Sequence, residues 1–367
     1  MEIIYYFKEK DTLMDKWQTY HIFDELKRYD INVTVFNPLK YGSTDESNEE
    51  FINHIKTKKY DLFMTPHNSK DIYIETVIKI KALGIPTLLI CFDNLIVPFN
   101  HKQIAKYFDL VWLTSEETEE MFKKWGATTI FNPYAANPFL MRSQFTEEIL
   151  SVAFIGTPYG SRVNMINTLI ENEINVDLFG NRNIGKNNTE RKQLLDDFII
   201  PMYNLSRFKI GRRVLKGAFM QKLKSKAILD YDNTNLRLND PVSLVGLSEL
   251  YSNFALSLSS TAARNTGVLK KPVNIVNLRS FEIPMSGGIQ ICSYSKELSK
   301  YFDEDKEIIF YRSEEELIDK ANFYLRSDNA TLREQIKLDA RKRAVRDHTW
   351  KKRFDIIFDE LGVGIEK

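Results

Sequence analysis

Three stretches of this 367-residue chain carry residue types whose spacing suits a phosphorylated, hydroxyl-rich ligand. The first is Phe154-Ile155-Gly156-Thr157-Pro158-Tyr159-Gly160-Ser161-Arg162, where an apolar strand runs through a glycine turn into a helix. Backbone N–H groups at such a helix start attract phosphate, and Arg162 falls in the first turn. Read locally, the same residues also make an ordinary strand-to-helix turn. The second is Arg279-Ser280-Phe281-Glu282-Ile283-Pro284-Met285-Ser286-Gly287-Gly288. An ionised Glu282 only accepts hydrogen bonds, which suits two ribose hydroxyls, and Arg279 suits a phosphate. The alternative is an internal Arg–Glu pair at a turn. The third is the small, polar run Ser257–Gly267, in which Ser260 and its neighbours offer hydroxyls and amides to a diphosphate or simply form a surface loop. No Gly-x-Gly-x-x-Gly and no Gly-Lys-Ser/Thr occurs, which disfavours standard dinucleotide and P-loop sites.

Chemistry on a hydroxyl also needs a proton acceptor. Asp11, His67 and Asp93 each follow an apolar run closely, where a general base would sit. The competing reading of each is a turn former or a surface residue. The most unusual stretch by composition is 207–226, with eight Lys and Arg and no acid, interleaved with Phe208, Ile210, Val214, Leu215, Phe219, Met220 and Leu223. It suits an anionic lipid surface or an acidic glycan, or a solvated helix that lays its stems on the core.

The elements that must position these residues alternate. Strand-like runs at 3–7, 32–36, 60–65, 86–92 and 110–114 are separated by helical spacing at 15–29, 48–58, 72–82, 102–107 and 116–125. The run Asn132-Pro133-Tyr134-Ala135-Ala136-Asn137-Pro138 breaks the rhythm. A second alternation starts at Ser151, with strands at 151–155, 175–179, 254–259, 289–292 and 308–311, and an almost wholly helical end from 331 to 361. Residues 181–241 read as less regular. The pattern predicts two α/β halves with doubly wound parallel sheets. Ligands of such sheets bind beyond the carboxyl ends of the strands.

Composition bounds the function classes. The formal net charge is +1, with 43% hydrophobic and 28% charged residues, which excludes a uniformly basic nucleic-acid binder. That neutrality is a sum of opposed parts: residues 1–150 carry 17 basic and 22 acidic residues, and the excess of positive charge lies in the rest. Cys91 and Cys292 sit in apolar runs and read as buried small hydrophobes of a reducing cytoplasm, and no Cys–His spacing suggests a metal site. The first residues read as a strand, not a signal peptide, and no apolar run is long enough to span a bilayer.

From 151 to 354 the chain resembles the C-terminal half of CgeB-like (spore-maturation-type) glycosyltransferases. The resemblance rests on Phe154-Ile155-Gly156 with Tyr159 and Arg162, Leu250-Tyr251-Ser252, Leu256-Ser257-Leu258-Ser259, Arg279-Ser280-Phe281-Glu282-Ile283-Pro284 with Gly287-Gly288, and His348-Thr349-Trp350. It implies a GT-B fold: two Rossmann-like doubly wound domains facing a cleft, residues 1–148 on the acceptor side and 149–348 on the donor side, with a C-terminal helix from about 349 crossing back to the first. It implies metal-independent transfer from a nucleotide-diphosphate sugar such as a UDP- or GDP-sugar, with no resident cofactor. The acceptor would be a glycan or a lipid-linked molecule of bacterial surface polysaccharide or glycolipid synthesis. The implied donor residues are Gly156, Thr157, Tyr159, Arg162, Ser260, Arg279, Phe281, Glu282, Gly287 and Gly288, with Glu282 on the ribose. Asp93 or His67 is the expected base. A second Glu, common eight residues earlier in one retaining group, is Asn274 here. The remaining expectations are a cytoplasmic protein, peripheral to an anionic membrane through 207–226, that takes no nucleic acid. A sugar-nucleotide epimerase, or a non-catalytic binding protein on the same fold, is the alternative.

Overall fold

The computed structural model describes residues 1–10, 12–92, 94–95, 98–180, 200–224, 228–263 and 265–364. They form two compact units, Met1–Asn137 with Thr349–Lys367, and Pro138–His348.

The first unit is built on a parallel sheet of six strands: β1 (Glu2–Tyr6), β2 (Asn32–Phe36), β3 (Leu62–Thr65), β4 (Thr87–Cys91), β5 (Leu110–Leu113) and β6 (Thr129–Phe131). Their order is β2-β1-β3-β4-β5-β6. Strands β3, β4 and β5 are buried along their whole length, as a parallel sheet covered on both faces requires. The strand order reverses between β1 and β3, so this sheet opens its crevice beyond Tyr6 and Thr65. Helix Trp350–Leu361 belongs to this unit. The buried Glu25 holds its N-terminus, accepting from the backbone N–H of Lys351 at 2.7 Å and of Trp350 at 3.3 Å.

The second sheet contains β7 (Ile149–Ile155), β8 (Val176–Phe179), β9 (Leu236–Asn239), β10 (Phe254–Ser259), β11 (Gln290–Ser293) and β12 (Ile309–Tyr311), in the order β12-β11-β10-β7-β8-β9. Counted within the unit, this is the dinucleotide-fold order 3-2-1-4-5-6, whose switch point lies between β7 and β10. Its core joins Val152, Phe154, Leu256 and Leu258 from the sheet to Ile166 and Leu169 of helix Ser161–Ile170.

The structure differs from the sequence expectation in several places. Strands β6 and β9 depart from the expectation; both are edge strands that are only partly buried and lack the continuous apolar run that marks the others. Within the less regular stretch 181–241, residues 200–224 hold two helices, Ile200–Ser206 and Lys209–Lys224, the second being the helix that the basic run 207–226 allows. The segment expected as a turn around Arg279 is helix Arg279–Met285, with Pro284 inside it. The first helix contains a π-turn at Thr19–Phe23, which shifts the apolar stripe expected across 15–29.

Arg333, 1% exposed, fastens helix Ala330–Asp347 to the start of β7. Its guanidinium makes a two-pronged pair with Glu148 at 2.9 and 2.5 Å and reaches the carbonyls of Tyr324 and Arg326, each at 2.7 Å. Glu148 is part-exposed and keeps Lys337 at 3.6 Å, so the main loss on removing the guanidinium is the donor to the two carbonyls. Arg333→Met is therefore expected to cost about 1–3 kcal/mol in urea unfolding, and a loss below about 0.5 kcal/mol would show that the fastener is dispensable.

Candidate functional site

The residues singled out in 154–162 and 279–282 meet beyond the carboxyl ends of β7 and β10. Strand β7 ends at Ile155, and Gly156 turns the chain with φ +134°, a backbone state that L side chains rarely adopt. A side-chain carbon at 156 would also fall 2.5 Å from Nη2 of Arg279. Glycine is thus required twice over, by conformation and by the guanidinium lying against the turn. Gly160, with φ +58°, opens helix Ser161–Ile170, and any side chain there would overlap Oδ1 of Asn265. This locks the turn to the loop that follows β10.

Arg162 lies in the first turn of that helix. Its guanidinium sits 4.5 Å from the centre of the Tyr159 ring and donates to the Thr157 carbonyl at 3.3 Å. Burial pushes its pKa down, and the like charge of Arg279 adds to this. Two guanidiniums close enough to repel, beside a helix N-terminus, form a place where an anion relieves the repulsion.

Helix Arg279–Met285 supplies the second half of the site. Arg279 hydrogen-bonds the Tyr251 hydroxyl and faces Glu282. Glu282 is 4% exposed, and burial lifts its carboxyl to about 7 against the opposing pull of Arg279. Burial likewise raises the Tyr251 phenol, helped by the Glu282 charge. A carboxylate and a phenol therefore gather on the guanidinium that lies against the Gly156 turn. Ser260 is buried at the end of β10; its Oγ accepts from the Ala262 N–H at 3.3 Å. It lines a crevice of about 670 Å³ together with Ser161, Gly267, Ser293 and Arg312.

Three of the expected donor residues are placed elsewhere. Phe281 is wholly buried, with its ring 5.1 Å from His348, 5.9 Å from Tyr301 and 6.1 Å from Phe302; it is a core residue and offers no face to a ligand. Gly287 and Gly288 close helix Arg279–Met285 at the end remote from Arg279, donating to the carbonyls of Pro284 at 3.0 Å and Ile283 at 2.9 Å. Gly288 also lets the chain pass the Tyr251 carbonyl, which a side-chain carbon would approach to 2.5 Å. Tyr251 is the member of the site that residue chemistry alone does not reveal, whereas Asn265 falls in the polar run Ser257–Gly267.

Of the two base candidates, Asp93 lies outside the described residues, as does Asp11. His67 stands at the switch point of the first sheet. Its Nε2 accepts from the Lys8 backbone N–H at 2.9 Å, and its Nδ1 lies 3.2 Å from Oδ2 of Asp71. This needs the Nδ1–H tautomer and occupies the ring's one lone pair, so His67 braces the loop rather than presenting a free base. Burial opposes the charged form of Asp71, but the bonds from His67 and Lys8 outweigh it and bring the carboxyl to about 2.

Comparisons with known proteins bear on the family and the fold. The family model described as "Glycosyl transferase-like" matches residues 164–359, more than half of the chain. The chain belongs to the glycosyl transferase-like family. Among solved structures it is similar to HepE of Anabaena, crystallised with UDP and glucose, at a TM-score of 0.59 and 12% identity over 99% of each chain. It is similar to the sucrose-phosphate synthase of Thermosynechococcus elongatus at a TM-score of 0.54 and 13% identity, again over 99% of each chain. AviGT4, a glycosyltransferase of avilamycin A biosynthesis, gives 0.51 and 13% over 99% of this chain and 97% of that one. At these identities the likeness is one of fold. Curated proteins give no match. The two six-stranded parallel sheets are thus those of a GT-B glycosyltransferase.

Glu282 makes stability depend on pH. Its folded pKa of about 7 exceeds its unfolded value of about 4.5, so the folded state holds a proton that the unfolded state has lost between those values. Wild type should lose stability on this account as pH rises from about 4.5 to about 7. Glu282→Gln, which cannot ionise, should lack that slope. Urea melts at pH 5 and pH 8 should show the difference between the two moving in favour of Gln by on the order of 2 kcal/mol. Parallel profiles would contradict the burial argument.

Proposed function

We propose that the chain transfers a glycosyl group from a nucleoside-diphosphate sugar to an acceptor hydroxyl, with the donor held on residues 138–348. The observation that carries this is the meeting of Arg279 with the Gly156 turn beyond β7, with Glu282 and Tyr251 set beside Arg279. Above its pKa, Glu282 is a pure acceptor and suits a vicinal diol, which a ribose presents. Arg162, Arg279 and the start of helix Ser161–Ile170 suit the diphosphate. In the transfer, the bond from the sugar C1 to the diphosphate oxygen breaks and its electron pair stays on the diphosphate. The acceptor oxygen bonds to C1 and gives up its proton. The two guanidiniums stabilise charge where it develops on the leaving group, which makes the reaction independent of a bound metal. For a base, His67 spends its lone pair on Lys8, which leaves Asp93, two residues beyond β4.

UDP is the first donor base to test, because HepE, on the same fold, was crystallised with UDP-glucose. The motif run from Gly156 to Gly288 supports a place in the CgeB-like subfamily, with a glycan or lipid-linked acceptor of surface polysaccharide synthesis in the cytoplasm. A nucleoside diphosphate at a hundred times its Kd should stabilise the protein by about 2.7 kcal/mol. Thermal shift with UDP, GDP and ADP should show this for one of them. Gly156→Ala, which pushes Arg279 off the turn, should remove most of the shift. No shift with any nucleoside diphosphate would sink the proposal.

A further inference from the structure

Helix Lys209–Lys224 has one face committed to the donor unit and one that nothing among the described residues covers. The committed face is Ile210, Val214, Gly217 and Gln221, all buried. Gly217 is pressed against the loop after β10, where a side-chain carbon would lie 3.0 Å from the Asn265 carbonyl oxygen and from Cα of Thr266. Beside it, Arg213 donates to the carbonyls of Lys271 at 3.1 Å and Pro272 at 3.0 Å. The helix is therefore anchored to the same loop whose Asn265 packs on Gly160.

The opposite face repeats at helical spacing: Lys209, Arg212, Lys216, Phe219 and Leu223 fall within an arc of roughly 80°. All five are exposed, Phe219 by 63% and Leu223 by 67%. Lys222 is exposed at its border. Arg212 donates to the Ser206 carbonyl, and among the described residues no carboxylate is paired with Lys209, Arg212, Lys216 or Lys222. Eight basic residues and no acid fall within 207–226.

We infer that this face is a docking surface for an anionic lipid bilayer: Lys209, Arg212 and Lys216 meet the phosphate headgroups, and Phe219 and Leu223 enter the layer beneath. The two large apolar side chains select a bilayer over an acidic polymer, which supplies charge but no apolar layer to receive them. The cations select anionic over neutral lipid. Docking through this helix places the donor unit, with its nucleotide-sugar site, at the membrane. The inference extends the proposed role on lipid-linked acceptors but stands on a surface separate from the Arg279–Glu282 site.

Vesicle co-sedimentation of the full chain tests it. Wild type should bind vesicles of phosphatidylcholine with 30 mol% phosphatidylglycerol at least tenfold more tightly than pure phosphatidylcholine. Binding should fall about tenfold or more between 0.1 and 0.5 M salt. Lys209→Glu with Lys216→Glu, and separately Phe219→Ser with Leu223→Ser, should each weaken binding about tenfold or more while leaving the UDP thermal shift and far-UV spectrum of wild type. Wild-type binding matched by both double variants would overturn the helix as the surface. Binding to heparin but to no vesicle, or equal binding to neutral and anionic vesicles, would overturn the bilayer as the partner. A missing UDP shift in wild type, with vesicle binding intact, would instead tell against the donor-site reading alone.

Discussion

A carboxylate buried to 4% exposure cannot stay charged without a partner, and the second unit is arranged around that requirement. Glu282 has Arg279 three residues before it, on the same side of one short helix. Arg279 in turn needs room, and the Gly156 turn provides it by carrying no side chain. Gly288 lets the helix end pack against the backbone of Tyr251, whose hydroxyl meets Arg279. The charge pair thus ties together the ends of β7 and β10 and the helices that contain Tyr251 and Glu282. A nucleotide bound there adds its phosphates to a centre that already holds an excess of positive charge.

The two sheets reach the same end by different windings. The first reverses between β1 and β3, the second between β7 and β10. At the first reversal Lys8, His67 and Asp71 satisfy one another, so the loop is braced without an external ligand. At the second, the like charges of Arg162 and Arg279 act on one another, and Glu282 is set against Arg279. The difference in how charge is balanced is why the second reversal, rather than the first, reads as the donor site.

Much of this is legible in the residues themselves. The alternation of apolar strands and amphipathic helices gives two doubly wound halves, because long buried parallel strands need continuous Val, Leu and Ile runs such as Leu88–Cys91. Glu282, Arg279, Gly156 and Arg162 stand out by charge and turn chemistry. Other features are set by packing that local pattern does not carry. Phe281 sits between charged residues like a ring waiting for a base, yet its helix turns it onto Tyr301, Phe302 and His348. Gly287-Gly288 looks like a phosphate turn and is a helix end. Strands β6 and β9 are half-exposed at the sheet edges and carry no continuous apolar run, and they exist because a neighbour's edge pairs them.

The central claim is that Glu282 holds the two hydroxyls of a ribose. Calorimetric titration of wild type and Glu282→Gln with UDP and with 2′-deoxy-UDP isolates that contact as a double-mutant cycle. The account predicts that removing the 2′-hydroxyl weakens wild-type binding about tenfold and leaves the Gln variant nearly unchanged, a coupling of about 1 kcal/mol or more. Equal losses in both proteins, and so no coupling, would contradict it.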